Sequence, residues 1–117
     1  MHFLVRHANL IFAAALFLPS LSSVYAREDD MKAQVIAKQN ACLGCHATNK
    51  KIVGPAFQDI AKRYANDPNA KIFLRNKILK GGAGSWGVVP MPANTKLNDL
   101  DLNLLLPWIL RGAPSAN

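Results

Sequence analysis

Cys42-Leu43-Gly44-Cys45-His46 is the part of this chain whose residue types and spacing could do chemistry. The pattern is C-x-x-C-H, the attachment site of c-type haem. Two thiols can add to the vinyl groups of the porphyrin, and the adjacent imidazole is then held beneath the iron. Two intervening residues make one tight turn, which brings both sulfurs to one edge of a planar macrocycle. A bare C-x-x-C also reads as a redox disulfide or as half of a zinc site. The redox reading wants a βαβ context, which is not visible in the sequence. A structural zinc site wants four ligands. Beyond residue 26 the chain offers two cysteines and one histidine.

An iron that only exchanges electrons is capped on both faces, so a second ligand is needed. His46 is the sole histidine after residue 26, and the methionines there are Met31 and Met91. Met31 falls in the first expected helix, close to the thiols, and reads as a surface or packing residue. Met91 lies in Pro90-Met91-Pro92, where two prolines stiffen an extended segment and can hold a sulfur in place. Met91 is therefore the candidate iron ligand opposite His46, with a core methionine as the alternative.

The elements that must position these groups read as helices and loops. Arg6 and His7 precede an apolar run, Leu10 to Leu18, that ends at Pro19-Ser20; Val24-Tyr25-Ala26 places small residues where a signal peptidase reads. Residues 1–26 are expected to be a cleaved secretory signal. The run is shorter than the ~18 residues a membrane-spanning helix needs, and an uncleaved anchor is the alternative. Residues 27–117 then form one domain in the bacterial periplasm. At 91 residues it is small for a self-sufficient apolar core. A buried porphyrin would fill that deficit, and the chain without it is expected to fold poorly.

Asp29 and Asp30 are expected to open the first helix, which ends near Asn40. Ala56–Ala65 reads as a second, with Phe57, Ile60, Ala61 and Tyr64 on one face. Asn66-Asp67-Pro68-Asn69 is a turn. Ala70–Lys80 reads as a third helix with Ile72, Phe73 and Ile78 inward. Asn98 is the expected N-cap of the last, backed by Asp99 and Asp101. That helix is apolar almost all round, and Pro107 is expected to kink it between Asn103 and Pro107. Its surplus leucines either pack on the first helix and the haem or form a patch for a partner. Gly81-Gly82-Ala83-Gly84-Ser85-Trp86-Gly87 lacks the G-K-[ST] ending and the preceding strand of a phosphate loop; its glycines suit backbone passing close to a flat group.

The chain has 14 basic and 7 acidic residues. Only Arg6 among these lies in residues 1–26, so the remainder carries 13 to 7 and a net charge of +6. Export and the lack of a basic-aromatic cluster argue against nucleic acid. The excess reads either as a solvated surface or as a field that steers an acidic redox partner.

Residues 28–112 resemble the small class I bacterial cytochromes c of the c-551 type. The resemblance is carried by Cys42–His46, Val53-Gly54-Pro55-Ala56-Phe57, Trp86 through Asn94, and Trp108 in the last helix. It implies an all-α class I cytochrome c fold, about four helices wrapped around one covalent haem and its iron. It implies a non-enzymatic electron carrier between respiratory redox proteins, with His46 and Met91 as axial ligands. It further implies that the Pro55 carbonyl accepts from the His46 ring, that Trp86 bonds a haem propionate, and that Asn94 contacts the ligand sulfur. Lys77 stands where well-known members carry a propionate-binding arginine; lysine keeps the charge without the bidentate fork. Pro107 departs from the usual uninterrupted helix. A haem sensor or peroxidase would need a distal histidine or arginine near Met91, which is not visible. A dedicated subunit of a larger dehydrogenase or oxidase is a third reading.

Overall fold

The computed structural model describes residues 21–116. The fold is all-α: α1 (Leu21–Gln39), α2 (Phe57–Tyr64), α3 (Ala70–Lys80) and α4 (Asp99–Leu110), with a single 3-10 turn at Cys42–Gly44. Among the described residues there is no strand, only isolated antiparallel bridges between His46 and Lys51 and between Gly82 and Met91. Residues 1–20, the greater part of the expected signal, lie outside the described residues.

The first helix differs from expectation at its start. It already runs from Leu21, the first described residue, through Ala26, ahead of the expected start at Asp29. No glycine or proline interrupts Leu21–Gln39, so local propensity carries the helix past any processing signal. Residues 23–29 are exposed, and packing begins at Asp30. From there α1 buries Ala33 and Ala37 completely. These small residues let α4 approach closely, and Leu102 and Leu105 fill the contact. The guanidinium of Arg111, just past the end of α4, pairs with Asp30 at the same junction.

Gln39 ends α1 because Ala41 adopts a left-handed conformation, φ 58°. That reversal delivers Cys42 into the 3-10 turn. The chain then returns to cap α2. The Phe57 amide donates to the Ala47 carbonyl (2.9 Å) and the Gln58 amide to Thr48 (3.0 Å). Two of the orphan donors of that helix are thus satisfied by the segment following His46. Phe57 and Ile60 are buried, with Ala61 and Tyr64 half-buried beside them, the face expected of α2.

The expected limits of α3 hold, but its inward face is different. Ala70, Leu74 and Ile78 are buried, at i, i+4 and i+8. Ile72 is 63% exposed, and Phe73 packs against Tyr64 at the surface with ring centroids 5.4 Å apart. Apolar residues surround much of this helix, so periodicity alone does not choose its buried stripe.

Asn98 caps α4 as expected. Its side chain accepts from the Asp101 amide (3.0 Å), and the Asp101 carboxylate accepts from the Asn98 amide (3.3 Å), a complete capping box. The helix continues through Pro107. Leu102, Leu105, Leu106, Trp108 and Ile109 are buried, so most of the apolar surplus packs inward; Leu100 is left 76% exposed. After α4 the chain folds back over Trp108, whose indole donates to the Pro114 carbonyl (3.0 Å). No helix among the described residues is long and apolar enough to cross a membrane.

Candidate functional site

The four helices enclose a cavity of about 360 Å³. Its floor is aliphatic: Ala37, Ile60, Leu74, Ile78, Leu105 and Ile109. One wall is the segment from Cys42 to Phe57. The other is the irregular segment Gly82–Pro92.

On the first wall, Cys42 and Cys45 are free thiols, both half-buried, separated by the 3-10 turn. Burial pushes the Cys42 thiol above its ordinary pKa. His46 is 8% exposed. Its Nδ1 lies 2.8 Å from the Pro55 carbonyl. A carbonyl only accepts, so Nδ1 carries the proton and donates; in the neutral ring Nε2 keeps its lone pair. Phe57 stacks on the imidazole, centroids 5.3 Å apart and planes inclined by 23°. Gly54 closes against the same ring: a methyl there would stand 2.5 Å from Cε1. Three neighbours in a short stretch thus hold one imidazole in orientation.

On the second wall, Met91 is half-buried and packs on the aliphatic core. Its backbone is paired with Gly82 in both directions, at 2.9 and 3.0 Å. Gly81 is obligatory beside this pair, because at φ 66° a side chain is strained and its first carbon would collide with the Met91 carbonyl. Trp86 and Lys77 both line the cavity. Lys77 Nζ comes close to Gly82.

The structure therefore brings Cys42, Cys45, His46, Pro55, Lys77, Trp86 and Met91 to one cavity. It does not bring Asn94 there. The Asn94 amide donates to the Asn40 side chain (3.4 Å), its oxygen accepts from the Lys96 amide (3.3 Å), and it lines a separate small polar cleft with Asn40 and Thr95. Met31 is exposed and does not line the cavity. Sequence reading did not identify Gly54 or Phe57 as supports of His46. Their signal was present in the tight spacing around Pro55, but a glycine before a proline reads first as a turn.

The donor set fits a planar, largely apolar group carrying a metal. Two thiols one turn apart can anchor its edge. An imidazole with a free lone pair and a thioether occupy the same cavity. The floor is hydrocarbon. Among the described residues no cluster of three or more histidine, cysteine or acidic side chains could by itself hold a metal ion.

An all-α shell around a C-x-x-C-H turn defines a haem-binding electron-transfer protein. The chain belongs to the cytochrome c family, whose model matches residues 31–112. It is a small class I monohaem cytochrome c. It is 45% identical over 75 residues to cytochrome c-552 of Nitrosomonas europaea, covering 64% of this chain and 73% of that one. It is 38% identical over 77 residues to cytochrome c-551 of Pseudomonas aeruginosa, covering 66% and 73%. The crystal structure of the Nitrosomonas europaea cytochrome c552 superposes with a TM-score of 0.64 at 43% identity, over 68% of this chain and 98% of that one. The cofactor of this family is covalent c-type haem, and the two cysteines of the C-x-x-C-H motif are consistent with its attachment.

Proposed function

We propose that this cytochrome is a periplasmic one-electron carrier with His46 and Met91 as the two axial iron ligands. The observation that carries the reading is the shared cavity. A buried His46, its Nδ1 tied to Pro55, and Met91, its backbone tied to Gly82, line the same space from different segments. Bound haem supplies a reversible one-electron change between ferric and ferrous iron.

The residues of the chain do the rest. Cys42 and Cys45 hold the porphyrin edge through thioether bonds. Pro55 fixes the tautomer of His46 and makes Nε2 a better donor to the metal. Met91 contributes a neutral sulfur, and the aliphatic floor excludes water; both favour the reduced state and raise the potential. Lys77 and Trp86, which line the cavity, would meet the propionates, Lys77 as a point charge. Asn94 reaches the ligand sulfur only by turning away from Asn40. With His46 and Met91 both holding the iron, no position would be left for a substrate, which suits an electron carrier and not an enzyme. Residues 1–26 act as the export signal, and the domain proper is residues 27–117. Its net positive charge suits respiratory partners with acidic docking surfaces.

Met91→Ala should abolish the sulfur-to-iron charge-transfer band of the ferric protein and lower the reduction potential. Met31→Leu should leave both unchanged. A band that survives in Met91→Ala sinks the ligand assignment.

A further inference from the structure

The segment that carries Met91 is a loop closed at its base and poorly packed along its length. Gly82 and Met91 pair at the base, and the Gly84 amide bonds the Gly87 carbonyl (2.8 Å) near the tip. Gly82, Gly84 and Gly87 all have positive φ. Val88 is 91% and Val89 61% exposed, so these side chains anchor little. Such a loop opens readily unless something outside it holds the tip.

Arg63 of α2 is that contact. Its Nη1 donates to the Ser85 carbonyl (2.5 Å), and its guanidinium carbon lies 4.6 Å from the centre of the Trp86 ring. Among the described residues this is the sole hydrogen bond from residues 83–90 to the rest of the chain. The helix that presents Arg63 is anchored through Phe57 and Ile60 in the core. Arginine suits the role, because a planar guanidinium can stack on an indole and donate in its own plane at once.

We propose that Arg63 is a positioning residue that latches the Met91 loop shut through Ser85 and Trp86. It sets how often Met91 leaves its place, without touching the metal. This rests on the reading of Met91 as ligand.

The test uses ferric holoprotein and imidazole as the probe. Imidazole can bind only when the loop is open, so its apparent affinity reports the open fraction. Loss of a stacked, hydrogen-bonded cation should raise that affinity by roughly three- to tenfold in Arg63→Ala. Arg63→Lys should fall between, keeping the charge and losing the planar stack. Lys62→Ala, a neighbouring exposed cation, should match wild type. Asn98→Ala, which weakens α4 and the whole fold, should also match wild type; an equal rise there would reduce Arg63 to general stability and overturn the latch. Wild-type affinity in Arg63→Ala overturns it too. A wild-type protein that lacks the sulfur-to-iron band overturns the ligand reading and this one with it. A band present in wild type with unchanged imidazole affinity in Arg63→Ala overturns the latch alone.

Discussion

At His46, much of the candidate site's order comes from neighbours that are not themselves candidate metal ligands. The imidazole is fixed by a carbonyl on one nitrogen, a stacked ring and a side-chain-free backbone. Each constraint has a separable consequence. Gly54→Ala introduces a methyl against a buried ring that is bonded to the next residue along, so neither partner can retreat. Overpacking of this kind costs about 1–3 kcal/mol, and chemical denaturation of the holoprotein should show it; an unaltered midpoint would mean that the loop can shift. Ala41 is the opposite case. It occupies a left-handed conformation at the end of α1, where glycine is free of steric cost. Ala41→Gly should raise stability by about 0.5–1 kcal/mol, seen as a higher denaturation midpoint with the haem spectrum unchanged.

Among the elements, α4 is the one on which the others are assembled: α1, α2 and α3 all pack on it. Its start is held by the reciprocal Asn98–Asp101 bonds, and its middle by Leu102, which has no exposed surface. Asn98→Ala should cost about 1 kcal/mol. Leu102→Ala should cost about 2–5 kcal/mol, through lost transfer energy and the cavity left between α1 and α4. Leu100→Ala, on the exposed side of the same helix, should leave the midpoint within about 0.5 kcal/mol. Equilibrium unfolding of the three variants ranks them, and a Leu100→Ala loss approaching that of Leu102→Ala would place Leu100 in a buried contact. The limits of α2 and α3 and the Asn98 cap that starts α4 are legible in the sequence, because caps, turns and periodicity are local. The helical course ahead of Asp29 was not, since the expected processing signal and a helix-favouring stretch overlap at residues 21–26. Nor was the buried face of α3, where Leu74 displaces Ile72.

For the whole molecule, haem held in the cavity would become part of the core. The floor residues of all four helices converge on it, so the apo chain loses the contacts that join them. Apo protein should show weak cooperativity in thermal unfolding, and haem should remain with the polypeptide after acidified organic extraction. Replacing both Cys42 and Cys45 with alanine should release it. The positive charge makes a different prediction. Attraction to an acidic partner is screened over about 8–10 Å at ordinary salt, so bimolecular electron transfer should slow as ionic strength rises. Charge reversal at Lys50 or Lys51 should reduce the association rate more than the rate at saturation. A stopped-flow rate flat with salt would point to apolar docking and leave the assignment as an electron carrier intact.

The sequence by itself determined the haem motif, the helix count and the candidate ligand Met91. Those follow from short-range rules: two thiols one turn apart, one remaining histidine, a methionine between prolines. What only the tertiary structure decided is which groups share a space. His46, Lys77, Trp86 and Met91 come from separate segments, and their convergence depends on how α1 to α3 lie against α4. The same arrangement set Asn94 beside Asn40, away from the cavity, and Arg63 over Trp86. No local pattern encodes those pairings, because each is settled by the summed packing of elements far apart in the chain.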